Sequence, residues 1–215
     1  MKKLMLTLVV ASLCVPVFAQ DDSAQGISHY VFDNFLPGVI KKKSGQLAHL
    51  PLNYNTITEE MIFIRDTEKL AIFNLAEIDT VYLGGRLFVP VEKAFYEKAT
   101  NTPVALYVQH KNGVLPPGSN VGYGMTSESG SVSDLSGVIG STQLYKLKLP
   151  DGYKLVSHNS YWINKDGRYI TASLKKLQSI FPAKAAAIKD YAKTNNIKFD
   201  KQADMVKLIV FCNEP

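Results

Sequence analysis

Four histidines and one serine-rich tract are the residues most open to chemical use. The histidines are His29, His49, His110 and His158. None has a second His or a Cys at helical ligand spacing, and HExxH does not occur, so the zinc-hydrolase pattern is missing. The tract GYGMTSESGSVSDLSGVIGS, residues 122–141, is mostly Gly and Ser. It invites a nucleophilic-serine reading, in which a neighbouring base activates a hydroxyl. A nucleophile elbow needs Gly two residues before and two after its Ser. No serine of the tract meets that rule, and Gly130 directly follows Ser129. Gly122, Gly124 and Gly130 also miss the G-x-G-x-x-G spacing, and Gly-Lys-Ser/Thr does not occur. Glu128 and Asp134 are too few for a calcium loop. The acid pairs Asp21-Asp22 and Glu59-Glu60 have nothing to set the fixed separation that glycoside hydrolysis requires. Spacing therefore assigns no catalytic residue, no cofactor and no metal ligand.

His158 lies in SHNSYW beside Ser157, Asn159 and Ser160. It anchors one alternative function, a serine-type hydrolase with a dispersed site. His49, in the alternating stretch QLAHLPL, reads as a structural histidine, and His29 falls in a chain start where order is commonly low. Aromatic residues point elsewhere. Tyr145, Tyr153, Tyr161, Trp162 and Tyr169 crowd one region around His158. On a sheet face such rings could stack on sugar rings or peptide side chains. Core and cross-strand packing use the same residues and are their commoner fate.

The elements that position these groups begin after residue 19. Residues 1–19 have a basic start at Lys2 and Lys3, an apolar run from Leu4 to Val15, and Val17 and Ala19 at the cleavage positions. They read as a signal peptide. The run is too short for a membrane span, which takes about 20 apolar residues. Leu13 before Cys14 argues against lipidation. Loss of Lys2 and Lys3 takes the formal charge from +5 to +3. That mild excess gives no basis for nucleic-acid binding, which calls for a clustered basic face. One cysteine is left, Cys212 in the apolar LIVFCNEP, so an intramolecular disulfide is impossible and a buried thiol is expected.

From 20 to 115 the pattern is serial hairpins. Turns are expected at Ser44-Gly45, between Arg65 and Lys69, and at Gly84-Gly85, whose glycines supply the positive φ of a two-residue turn. EKAFYEKAT fits a helix or a strand. Residues 116–141 read as a flexible linker open to early proteolysis, since Met125, Val132, Leu135, Val138 and Ile139 bury too little surface to offset the entropy of ordering it. From 142 to 215 strands resume around the turns Pro150-Asp151-Gly152 and Lys165-Asp166-Gly167. About three helices follow. The first is capped at Thr171 or Ser173, the second opens at Pro182, and the third is capped at Asp200. Their apolar stripes include Leu174, Leu177, Ile188, Ala192, Met205, Leu208, Ile209 and Cys212. Strands followed by helices make the class α+β, with a hairpin-rich N-terminal part and a C-terminal strand-plus-helix unit.

Three stretches, together with the Gly/Ser tract of residues 122–141, resemble a family of uncharacterised exported proteins of Bacteroidetes-type bacteria. The stretches are GVIKKKSGQLAHLPLNYNTITEEMIFI, EIDTVYLGGRLFVPV and the ending from YWINKDGRYITAS to KLIVFCNE. The resemblance implies a bacterial cell-envelope location and a non-catalytic role. The expected function is accordingly that of an exported soluble envelope protein, periplasmic or extracellular. Its role would be binding or structural, toward an unknown envelope partner or ligand. A carrier holding an apolar ligand in a partial barrel is the remaining alternative.

Overall fold

The computed structural model describes residues 28–115, 119–120, 126–127, 145, 149 and 151–214. Residues 1–19, expected to be a signal peptide, and most of the Gly/Ser tract lie outside the described residues. Ten strands form one antiparallel sheet: β1 Leu36–Lys42, β2 Leu47–Asn55, β3 Glu60–Arg65, β4 Glu68–Ala71, β5 Ile78–Leu83, β6 Arg86–Val91, β7 Ala94–Lys98, β8 Leu106–Gln109, β13 Ser160–Lys165 and β14 Arg168–Thr171. Their order is β14-β13-β8-β7-β6-β5-β1-β2-β3-β4. Two small ladders stand apart: β9 (Asn112–Leu115) with β12 (Lys154–Ser157), and β10 (Ser119–Asn120) with β11 (Thr126–Ser127). Three helices close the chain: α1 Leu174–Ile180, α2 Ala185–Thr194 and α3 Gln202–Asn213. The fold is α+β with its helices at the C-terminal end.

Local chemistry places most of these elements. Gly84 and Gly85 adopt φ of 57° and 74°, and a Cβ on Gly84 would lie 2.4 Å from the Phe32 ring. Asp166 and Gly167 turn the β13–β14 hairpin with φ of 52° and 79°. AFYEK is a strand, because both its faces are covered. Asn53, fully buried in the LNYN stretch of β2, bonds both ways to the preceding segment. Its Nδ2 donates to the Phe32 and Asn34 carbonyls at 2.7 and 3.0 Å, and its Oδ1 accepts from Phe32 N–H. Ser173 caps α1 by accepting from Lys176 N–H. Asp200 does not cap α3. Lys201 holds the cap position without a side-chain bond, and Asp204 inside the first turn accepts Lys198 N–H at 3.0 Å instead. His29 is fully buried rather than loose, because its carbonyl takes both the N–H and the hydroxyl of Thr56. His49 is exposed, on the half of β2 with one face open to water.

Strand order explains the curvature. After β1–β4 run outward as a meander, β5 returns to the far side of β1. Residues 72–77 must cross four strand spacings, about 19 Å. With Leu75–Glu77 wound into a 3-10 turn the link has little reach to spare, and the sheet curls so that β3 comes against β7. Ile72 and Leu75 of the link pack on the cluster inside, which includes Leu52, Tyr54, Met61, Val81, Leu83, Phe88 and Phe95. The interior of this partial barrel is thus filled by side chains.

Pairing registers trace one line across the sheet: Val81, Phe88, Glu97, Val108, Tyr161. All five lie on the same face. At the β5–β7 end the sheet buries that face by curling. At the β8–β13 end the helices cover it, with Leu106, Ile163, Leu177, Ile188, Met205 and Leu208 fully buried. Glu97 stands at the seam between the two clusters. Its carboxylate meets His110 Nε2 at 2.6 Å and the Arg86 guanidinium at 3.3 Å. Strand β8 comes from the first half of the chain and β13 from the second, so the described parts of both halves share this sheet.

Candidate functional site

The opposite face of the same strands carries the candidate site. Alternation places Tyr96 and Lys98 of β7 on it, then Tyr107 and Gln109 of β8, and Trp162 of β13. Tyr96 and Trp162 stack with ring centroids 5.7 Å apart and 23° between planes. Tyr169 of β14 stands edge-on to Tyr96 at 5.5 Å and to Tyr107 at 5.1 Å. Tyr96 is buried, whereas Tyr107, Trp162 and Tyr169 are each partly exposed. The result is a continuous aromatic strip over four neighbouring strands, away from the helices.

A polar cleft of about 230 Å³ adjoins the strip, lined by Thr58, Glu59, Glu92, Lys93, Tyr96 and Gln109 among others. The rings and the cleft are tied together. Trp162 Nε1 donates to Gln109 Oε1 at 3.2 Å, and Gln109 Nε2 donates to the Glu59 carboxylate. Lys111 Nζ reaches the other Glu59 oxygen at 2.6 Å. Burial raises the Tyr96 phenol above its ordinary value, and the carboxylates of Glu92 and Glu59 add to the shift. Tyr107 is raised chiefly by burial and then by Tyr169. Both shifts favour the protonated phenol.

Two cleft residues sit in strained backbone. Glu59 and Glu92 have φ of 59° and 53°, a region that costs an ordinary L residue roughly 1–2 kcal/mol. Glu92 is the first residue of a two-residue turn between Val91 and Ala94, where Asn tolerates positive φ better than Glu. Glu92→Asn is expected to stabilise the fold by about 0.5–1 kcal/mol. A denaturant titration checks this, and an unchanged or lowered midpoint would show that Glu92 holds the turn by other means.

The sequence-derived surface residues disperse. Trp162 and Tyr169 belong to the strip. Tyr161 lies on the opposite face under the helices, its hydroxyl donating to the Asp200 carbonyl at 3.2 Å. Tyr145 donates its hydroxyl to Glu60 at 3.0 Å, and burial, then Glu60, pushes that phenol up to about 12. Tyr153 packs on the small cluster of Val114 and Leu149. His158 is exposed, its backbone N–H bonded to the Lys111 carbonyl, and among the described residues no serine hydroxyl bonds its ring. Sequence reasoning gives Tyr96, Tyr107 and Gln109 no site role, and Glu59 enters it only as half of an acid pair. Alternation in AFYEK and LYVQ puts Tyr96 and Tyr107 opposite Phe95 and Val108, but only the register brings them to Trp162.

Among the described residues, no group of three or more His, Cys, Asp or Glu could hold a metal ion. Among them too, no helix is long and apolar enough to cross a membrane. No family model, curated protein or solved structure matches the chain, so the site's meaning rests on its geometry.

Proposed function

We propose that the protein is exported and acts in the bacterial cell envelope as a non-catalytic binding protein, its ligand seated on the aromatic strip. The carrying observation is the strip itself. Three partly exposed rings are held in one surface by mutual ring contacts and by the Trp162–Gln109 bond, beside a polar cleft. Fixed rings lose little entropy when they take up a ligand, which is why they serve as anchors in binding surfaces. The basic-then-apolar start, with Ala19 at its cleavage position, supports export.

Hydroxyl-radical footprinting tests the reading while the ligand is still unidentified. In the presence of envelope extract from a Bacteroidetes-type bacterium, Tyr107, Trp162 and Tyr169 are expected to be protected at least twofold. Tyr82 and Phe73, exposed elsewhere, serve as controls and should be modified as in buffer. Equal modification of all five rings with and without extract would remove the strip as a binding face.

A further inference from the structure

We infer that two copies of the protein pair through the free edge of β14, so that one sheet runs through both. β14 ends the strand order and has a neighbour on one side only. Ala172 N–H bonds the Tyr161 carbonyl. Alternation then turns the N–H and C=O of Ile170 toward β13, and those of Tyr169 and Thr171 outward. The Thr171 carbonyl takes Ser173 N–H at 2.9 Å. Among the described residues the other three outward groups have no partner. Such a row is a template for another strand, and no proline, lysine or bulge guards it.

The edge is complementary to itself. Gly167, at φ of 79°, turns the chain at the start of β14, and Ser173 leaves it to cap α1. Tyr169 to Thr171 are left to pair, which puts a two-fold axis through Ile170. That register sets Tyr169 opposite Thr171 of the second copy, and each such pair exchanges two backbone bonds. The second lone pair of the Thr171 carbonyl serves this. An aromatic beside a β-branched residue is a favourable cross-strand pair.

Charge agrees with the same register. Arg168 falls opposite Ala172 of the second copy. Ala172 lines a groove of about 350 Å³ with Tyr161, Leu174 and Phe199, and Phe199 is 37% exposed. Burial, then the Asp200 charge, raises the Tyr161 phenol, which places that carboxylate near the groove. Arg168 and Asp200 are both exposed, and neither is in an ion pair among the described residues. The Arg168 guanidinium of one copy thus lies over Phe199 of the other and against its Asp200. The aromatic strips of both copies then share one face.

A few backbone bonds and exposed ion pairs make a modest interface, so the dimer should dissociate on dilution. Sedimentation velocity of the purified protein over a hundredfold concentration range tests it. The wild type is expected to pass from the mass of one chain to that of two. Three variants follow, each first shown to melt as a folded protein. Thr171→Pro removes an outward N–H and is expected to abolish the dimer. Arg168→Glu sets acid against acid and is expected to weaken dimerisation at least tenfold. Arg168→Glu combined with Asp200→Arg is expected to restore it to within threefold of wild type. A wild type that stays monomeric throughout overturns the pairing, whatever other strand the edge accepts. A dimer that neither Thr171→Pro nor Arg168→Glu weakens lies elsewhere and overturns it too. A dimer that Arg168→Glu weakens but the double variant does not restore overturns this register.

Discussion

Glu97→Ala is expected to destabilise the protein by about 3 kcal/mol, the lower end for removing one partner of a buried ion pair. Glu97 and His110 are 8% and 10% exposed at their side chains, while Arg86 is 41% exposed. Without Glu97, Arg86 can turn to water over the Phe32 ring, which it already covers at 5.0 Å. His110 cannot leave. It loses its 2.6 Å partner while buried beside the Tyr54 ring. Glu97→Gln keeps the shape and one hydrogen bond and should cost less, about 1–2 kcal/mol.

The same group gives a pH signature. Burial by itself would raise the Glu97 carboxyl, but the His110 bond and charge, with Arg86, outweigh it and hold the group below its ordinary 4.5. A carboxyl so lowered stabilises the fold above its unfolded value, and that share is lost as pH falls through the lowered folded value. The melting temperature of the wild type should therefore drop from about pH 5 downward. Glu97→Gln should show a shallower fall over the same range. Parallel acid profiles for the two proteins would mean that Glu97 contributes nothing to acid sensitivity.

Leu208→Ala is expected to cost about 3 kcal/mol, the usual size for truncating a fully buried leucine. Leu208 lies in α3 with Met205, Ile209 and Cys212, facing β8 and β13 together with Leu177 and Ile188. Nothing polar is left unpaired, so the loss is transfer energy plus a cavity. For a domain of this size the melting temperature should fall by roughly 6–12 °C. Val210→Ala, on the exposed side of the same helix at 42% exposure, should change it little. Cys212 offers a second readout. It is 1% exposed and burial pushes its thiol up to about 11, so it should resist alkylation in the native protein. Leu208→Ala should make it react faster. A loss below about 1 kcal/mol, with Cys212 still protected, would show that the helical layer closes over the gap.

The amino-acid sequence alone determined the local elements, because their causes are local. Gly84-Gly85 and Asp166-Gly167 turn where their residue types permit positive φ, Ser173 caps because its hydroxyl reaches three residues ahead, and Leu208 and Cys212 are buried because they share a helix face. Where two local solutions compete, sequence chose less well. AFYEK is equally good as helix or strand until β6 and β8 flank it, and Asp200 leaves the cap position to Lys201 while Asp204 ties the first turn back to Lys198. The α+β class followed from element order. Register, curl and face did not. Glu97 meets His110 and Arg86 because pairing sets Phe88, Glu97 and Val108 in one row and the sheet then curls over them. Tyr161 and Trp162 are neighbours in the chain yet end on opposite faces, one under the helices and one in the strip, since successive strand residues point opposite ways. Tyr96, Tyr107 and Tyr169 join Trp162 only when three strand pairings are all in register. Those pairings depend on burying one whole face of the sheet at once, and no stretch of sequence holds that energy by itself.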